Sequence, residues 1–163
     1  MALLPLIILC TFLVGVHSQG SLACPDGTLS SIDKSTCYMV VRTNKTFIEG
    51  ETFCVSSYGG HLCSFHNGFD NMIVNDYARN FLGVNSTFFI GANDLIQPNQ
   101  WQWTDGSDFD FNDFGWDGGS VPQYYDCAHV SAVEGSWKKV DCYDSTNICC
   151  IVPKVTSLST PSF

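Results

Sequence analysis

The feature that most constrains this chain is its cysteines. Nine occur in 163 residues, and eight of them (Cys24, Cys37, Cys54, Cys63, Cys127, Cys142, Cys149 and Cys150) lie beyond the apolar first eighteen positions. An even set in an oxidising compartment reads as a disulfide framework. Zinc is the rival use, but the sequence has no Cys-x-x-Cys pair and no histidines at finger spacing. Counting leaves the connectivity open among on the order of a hundred pairings.

The compartment is read from the first residues. Met1 to Ser18 carries no charged side chain and runs apolar from Leu3 to Val16. That stretch is shorter than the roughly 20 residues of a membrane span. It ends in Val16-His17-Ser18, with small residues where a signal peptidase reads. Residues 1–18 are therefore expected to be a signal peptide, removed together with Cys10, leaving a secreted, soluble chain from Gln19. The remaining chain of about 145 residues suits one domain with one core. A net charge of −9 repels phosphate backbones and anionic bilayers, so neither nucleic acid nor membrane insertion is expected. Asn44-Lys45-Thr46 and Asn85-Ser86-Thr87 are glycosylation sequons, which marks Asn44 and Asn85 as expected glycan carriers.

Along the chain, turn chemistry at Cys24-Pro25-Asp26-Gly27 and the β-rich run Cys37 to Val41 predict a hairpin. Thr46-x-x-Glu49 is a capping box opening a helix that Gly59-Gly60 ends. Gly50 inside that helix costs about 1 kcal/mol relative to alanine, so something is expected to pack closely there. His61 to Phe65 reads as a short strand. Phe69 to Leu82 reads as a second helix with Ile73, Tyr77 and Phe81 on its buried face. Phe88 to Ala92 is an apolar strand, and from Asp94 to Asp126 the texture turns to Gly, Asp, Asn and aromatics without periodicity. Loops of that length inside a compact domain are usually functional or disordered, and the aromatics Trp101, Trp103, Phe109, Phe111, Phe114 and Trp116 argue against disorder. Three short strands follow, Cys127 to Val133, Trp137 to Val140 and Ile148 to Val152, then a Ser/Thr-rich tail over 154–163 that is expected to be flexible. The pattern is α+β.

Several of these pieces, taken in order, resemble the C-type lectin-like domain over residues 19–153. They are Phe47-x-x-Gly50-x-x-x-Cys54 with Gly59-Gly60-His61-Leu62, then Phe89-Ile90-Gly91-Ala92, then Trp101-x-Trp103-Thr104-Asp105-Gly106-Ser107. Asp126-Cys127, Trp137, Cys142 and Ile148-Cys149 complete the series. The resemblance implies two helices flanking small antiparallel sheets, with a long irregular loop. It implies the disulfides Cys24–Cys37, Cys54–Cys149 and Cys127–Cys142, which leaves Cys63–Cys150 as the fourth. A bond between the neighbours Cys149 and Cys150 is the alternative.

Members of that family that bind sugar hold it through calcium, using a Glu-Pro-Asn or Gln-Pro-Asp motif in the loop and an Asn-Asp pair after the last tryptophan. Here Lys138 and Lys139 follow Trp137, and Val121-Pro122-Gln123 stands where the loop motif belongs. An ammonium offers donors only and carries the wrong charge for an ion that needs six to eight oxygens. Gln97-Pro98-Asn99 precedes Trp101 and is out of place for the motif. No cofactor is therefore expected, and no calcium at the usual site. Asp108, Asp110, Asp113, Asp117 and Asp126 are the residual metal candidates, although aspartates in such a loop commonly cap turns.

Hydrolase, metalloprotease and phosphate-loop motifs are absent from the sequence, so an enzyme is not expected. The expected function is a secreted recognition module for carbohydrate or an extracellular protein, of the kind used in innate defence. Trp116, Asp117, Gln123, Tyr124 and Tyr125 are its candidate ligand contacts. The alternatives are a calcium-dependent lectin with a rearranged acidic-loop site and an ice- or mineral-adsorbing protein.

Overall fold

In a computed structural model, residues 21–115 and 126–156 are described. The expected signal peptide and the candidates Trp116, Asp117, Gln123, Tyr124 and Tyr125 lie outside the described residues. Among the described residues, nine strands and two helices run in the order β1 (Leu22–Ala23), β2 (Leu29–Ser30), β3 (Cys37–Lys45), α1 (Phe47–Tyr58), α2 (Gly68–Leu82), β4 (Thr87–Asn93), β5 (Gln102–Trp103), β6 (Asp126–Ser131), β7 (Trp137–Asp141), β8 (Thr146–Val152) and β9 (Val155–Thr156). The main sheet has the order β2-β3-β8-β4-β6-β7, with β5 paired to β4. Strand β4 meets β8 in parallel and its other partners antiparallel.

The sheet is covered on both faces, and strand alternation sorts the side chains. Phe89, Ile148, Cys150 and Val152 point to one face and join Phe47 and Cys54 of α1. Phe88, Ile90, Ala128, Val130 and Cys149 point to the other and join Val74 and Ala78 of α2, with Trp103 and Trp137. This is why β4 reads as unbroken apolar sequence: it is buried on both sides.

Helix α1 begins as expected. The Thr46 hydroxyl accepts from the Glu49 N–H, and the Glu49 carboxylate accepts from the Thr46 N–H at 3.0 Å. Gly59, at φ 68°, ends it. A Cβ at Gly50 would lie 2.9 Å from Ile148 Cγ2, which explains a glycine in mid-helix. At Gly60 a Cβ would lie 1.8 Å from the Ile151 carbonyl oxygen, so only glycine fits there.

Four expectations need correction. The bonds formed are Cys54–Cys150 and Cys63–Cys149, alongside Cys24–Cys37 and Cys127–Cys142; Cys54–Cys149 and Cys63–Cys150 are not made. Neighbouring cysteines on a strand do face opposite ways, but α1 packs on the Ile148/Cys150 face, so Cys54 meets Cys150. Cys63 lies under the other face, with its N–H 2.8 Å from the Cys149 carbonyl. Secondly, α2 buries Asp70, Asn71, Val74, Asn75 and Ala78, while Phe81 is exposed and Ile73 and Tyr77 are half-buried. Its inward face is polar because Asp70 and Asn71 have assigned partners in the loop and turns around it. Thirdly, His61 to Phe65 forms a single bridge, Leu62 to Cys150, rather than a strand. Finally, regular structure runs past Pro153: Val155 and Thr156 pair with Ala23 and Leu22, tying the two ends of the described chain together.

Candidate ligand-binding site

The long loop is built around Trp137, the first residue of edge strand β7, which is fully buried. Its indole N–H donates to Asn71 Oδ1 at 3.0 Å, and Asn71 Nδ2 donates to Asp113 Oδ2 at 2.9 Å and to the Gly135 carbonyl at 3.3 Å. One asparagine on α2 thus fixes the tryptophan, the loop and the turn before β7. Rings from the loop pack edge-on against the same indole: Phe111 at 5.7 Å and Phe114 at 5.5 Å between centroids, with Trp103 at 5.5 Å. Backbone bonds add the loop to the sheet edge, since the Trp137 N–H donates to the Asp113 carbonyl and the Gly115 N–H to the Trp137 carbonyl. Such a closed edge removes a template for unwanted strand pairing.

At the rim of this packed layer, Trp101 and Phe114 lie 4.5 Å apart and are both half-buried. The Lys139 ammonium stands over both rings, 5.9 Å from Trp101 and 5.8 Å from Phe114. A cation in that position is attracted by the ring faces. Lys138 points elsewhere and pairs with Glu134 at 2.8 Å. The sequence singled out both lysines as obstacles to an ion; the structure shows that one of them caps an aromatic ledge.

The acidic candidates separate into distinct roles. Asp105 accepts from Ser64 Oγ at 2.5 Å and from the Ser107 N–H and hydroxyl at 2.9 and 2.6 Å. Burial pushes its carboxyl up, but those bonds outweigh burial and hold it below the usual carboxylate range. Asp110 pairs with His66 Nδ1 at 2.7 Å, which lowers its carboxyl, and Asp108 is exposed. Asp113 is raised by burial, against the bond from Asn71. Asp126, only 5% exposed, is raised by burial and then by Asp94 and Asp141, while Lys139 acts in the opposite direction. Asp94 is itself committed: its two oxygens accept from the Asp126 and Asn99 N–H groups at 2.6 and 2.8 Å.

Among the described residues, no group of three or more His, Cys, Asp or Glu is arranged to hold a metal ion. Asp110 and Asp113 turn to separate partners, His66 and Asn71, while Lys139 lies over the rings of Trp101 and Phe114. Sequence reasoning missed Trp101, Phe114 and Lys139 as one constellation. They are 13 and 25 residues apart, and only the folding of the loop onto β7 brings them together.

A family profile described as "Lectin C-type domain" matches residues 43–151, well over half of the chain. The galactose-specific lectin nattectin of Thalassophryne nattereri is 26% identical over 89% of this chain and 91% of its own. Lithostathine of Bos taurus is 25% identical over 86% of each. A C-type lectin of Thrasops jacksonii, a lectoxin, reaches 34% identity, over 59% of this chain and 60% of its own length. Among solved structures, human lithostathine superposes with a TM-score of 0.71, at 24% identity, over 80% of this chain and 99% of that one. A calcium-independent type II antifreeze protein gives 0.69, at 24% identity, over 83% and 98%.

Proposed function

The chain belongs to the C-type lectin domain family, and from that premise we propose that it is a secreted recognition module whose long-loop edge binds carbohydrate or an extracellular protein without calcium at the family's usual place. The observation that carries this reading is the Lys139 ammonium held over the rings of Trp101 and Phe114. Where a metal-dependent relative needs oxygen ligands and an open coordination position, this chain supplies a tethered cation and two aromatic faces.

Half-buried rings fixed by packing suit the apolar face of a sugar or an anchor residue of a protein partner. Trp101 and Phe114 are such a pair, and the Lys139 ammonium beside them adds donors for a ligand oxygen. Trp116, Asp117, Gln123, Tyr124 and Tyr125 follow Phe114 closely in sequence and are proposed as further ligand contacts. Binding, rather than catalysis, is what such a surface supports.

Thermal melting in calcium and in chelator tests the calcium part. An ion present at a hundred times its dissociation constant adds about 2.7 kcal/mol to the folded state, a shift of several degrees for a domain of this size. The expected result is coincident transitions. A calcium-dependent rise in Tm overturns the reading in favour of a rearranged metal-dependent lectin. A glycan array probed in both conditions, with a Trp101→Ala and Phe114→Ala double variant as control, tests whether the ledge is the contact surface.

A further inference from the structure

Two sequons 41 residues apart in sequence arrive at one end of the main sheet. Asn44 lies near the end of β3 and is exposed; Asn85 lies in the turn before β4 and is exposed. Strand β8 sits between β3 and β4, and its first residues join the two sequons. Lys45 is the register partner of Thr146, whose hydroxyl meets the Thr87 hydroxyl at 2.7 Å and donates to the Thr87 carbonyl at 2.8 Å. The next residue, Asn147, accepts from the Thr43 N–H at 3.1 Å and donates to the Thr87 carbonyl at 2.9 Å. Two strand spacings, about 10 Å, therefore separate the strands that carry the two acceptors.

Both sequon hydroxyls are occupied in the folded protein. Thr46 is the α1 cap, accepting from the Glu49 N–H and donating to Glu49 Oε2 at 3.1 Å. Thr87 donates to Thr146, which the chain supplies 59 residues later. A transferase that reads these hydroxyls meets them free only before α1 is capped and before β8 is in place.

We propose that Asn44 and Asn85 both carry N-linked glycans, added before folding, which together cover the β3-β8-β4 end of the sheet. This rests on the secretion part of the function proposed above. In each transfer the asparagine Nδ2 forms a bond to the anomeric carbon of an oligosaccharide carried on a lipid diphosphate. The carbon–oxygen bond to the diphosphate breaks, the lipid diphosphate leaves with the electron pair, and the amide proton passes to a base of the transferase. The covered end also holds exposed apolar groups: Val84 precedes Asn85, and Val133 follows Ala132, whose N–H donates to the Ser86 carbonyl. Sugar at Asn85 keeps partners off these valines. Phe114 of the ledge bridges to Trp137 on β7, the edge strand two places beyond β4, and Trp101 packs on Phe114, so the glycans leave the ledge open.

The full chain, expressed in secreting eukaryotic cells and partly digested with a peptide N-glycosidase, is expected to give a ladder of two mass steps, with aspartate appearing at positions 44 and 85. Asn44→Gln and Asn85→Gln each remove one step, while Thr46→Ser and Thr87→Ser keep both. Folded, oxidised, unglycosylated protein offered to the transferase with its lipid-linked donor stays unmodified, whereas the reduced chain accepts two glycans. Fewer than two steps on protein secreted behind a foreign leader, or modification of the folded form, overturns the assignment. Two steps behind a foreign leader with none behind the chain's own residues 1–18 instead removes the secretion reading and leaves the two sites standing.

Discussion

The two faces of the main sheet are stabilised by different chemistry. The face under α1 packs aliphatic and aromatic side chains around Cys54–Cys150 and Cys127–Cys142, with Gly50 letting the helix approach Ile148. The face under α2 also has an apolar core, with Phe65, Val74, Phe88, Ile90 and Val130 around the long-range disulfide Cys63–Cys149, and adds to it Trp137, the loop rings and hydrogen-bonded amide and carboxylate side chains. Nonpolar packing tolerates many sequences, whereas a buried amide that serves three groups tolerates few. The long loop is mounted on the α2 face.

Removing covalent links should expose the contrast most strongly. Replacing Cys54, Cys63, Cys149 and Cys150 together by alanine opens a closure whose outer cysteines are 96 positions apart, at a cost of at least about 4.5 kcal/mol in the chain-entropy model, whereas Cys54→Ala with Cys150→Ala leaves Cys63–Cys149 closing the long loop and costs about 3 kcal/mol. Thiol titration sharpens the pairing itself. Cys63→Ala with Cys149→Ala should leave no free thiol, whereas Cys63→Ala with Cys150→Ala should strand Cys54 and Cys149 on opposite faces; equal thiol counts would contradict the pairing.

On the α2 face, Trp137→Ala removes a fully buried indole and should cost about 4 kcal/mol in denaturant unfolding. It should also release the loop, seen as faster amide exchange at Phe111 to Gly115. Asn71→Ala leaves the Trp137 N–H without its acceptor and should cost about 2 kcal/mol with the same local signature. If Asn71→Ala proves neutral, the polar face is not what holds the loop.

The smallest effect is pH-dependent. The Asp105 carboxyl is lowered in the folded state, so its contribution is present above the ordinary carboxylate range and lost as pH falls through it. Asp105→Asn should cost about 1 kcal/mol at neutral pH, allowing for solvent screening, and progressively less in acid. Asp126 is raised, so protonation relieves it, and Asp126→Asn should make the protein relatively more stable at neutral pH than in acid. Parallel pH profiles for the two variants would show that their environments do not differ as described.

Elements defined by local chemistry were legible in the sequence: the α1 capping box, its glycine stop, the β4 run and the Cys24–Cys37 hairpin all depend on residues close together in the chain. The α2 boundaries were legible for the same reason, but its inward face was not. Hydrophobic spacing pointed to Ile73, Tyr77 and Phe81, and the partners that make Asp70 and Asn71 the buried residues lie between 38 and 66 positions away. The family was also legible, because its motifs are short and ordered along the chain.

The sequence by itself determined that eight cysteines pair, that α1 needs a small residue at Gly50, and that Lys138 and Lys139 replace the oxygen donors after Trp137. Tertiary structure alone decided which neighbour of the Cys149/Cys150 pair meets α1, and that Lys139 caps Trp101 and Phe114. The reason is the same in both cases. Strand alternation states that adjacent side chains part to opposite faces, but which face each one takes is set by what packs there, and that is not written within either residue's own neighbourhood of the chain.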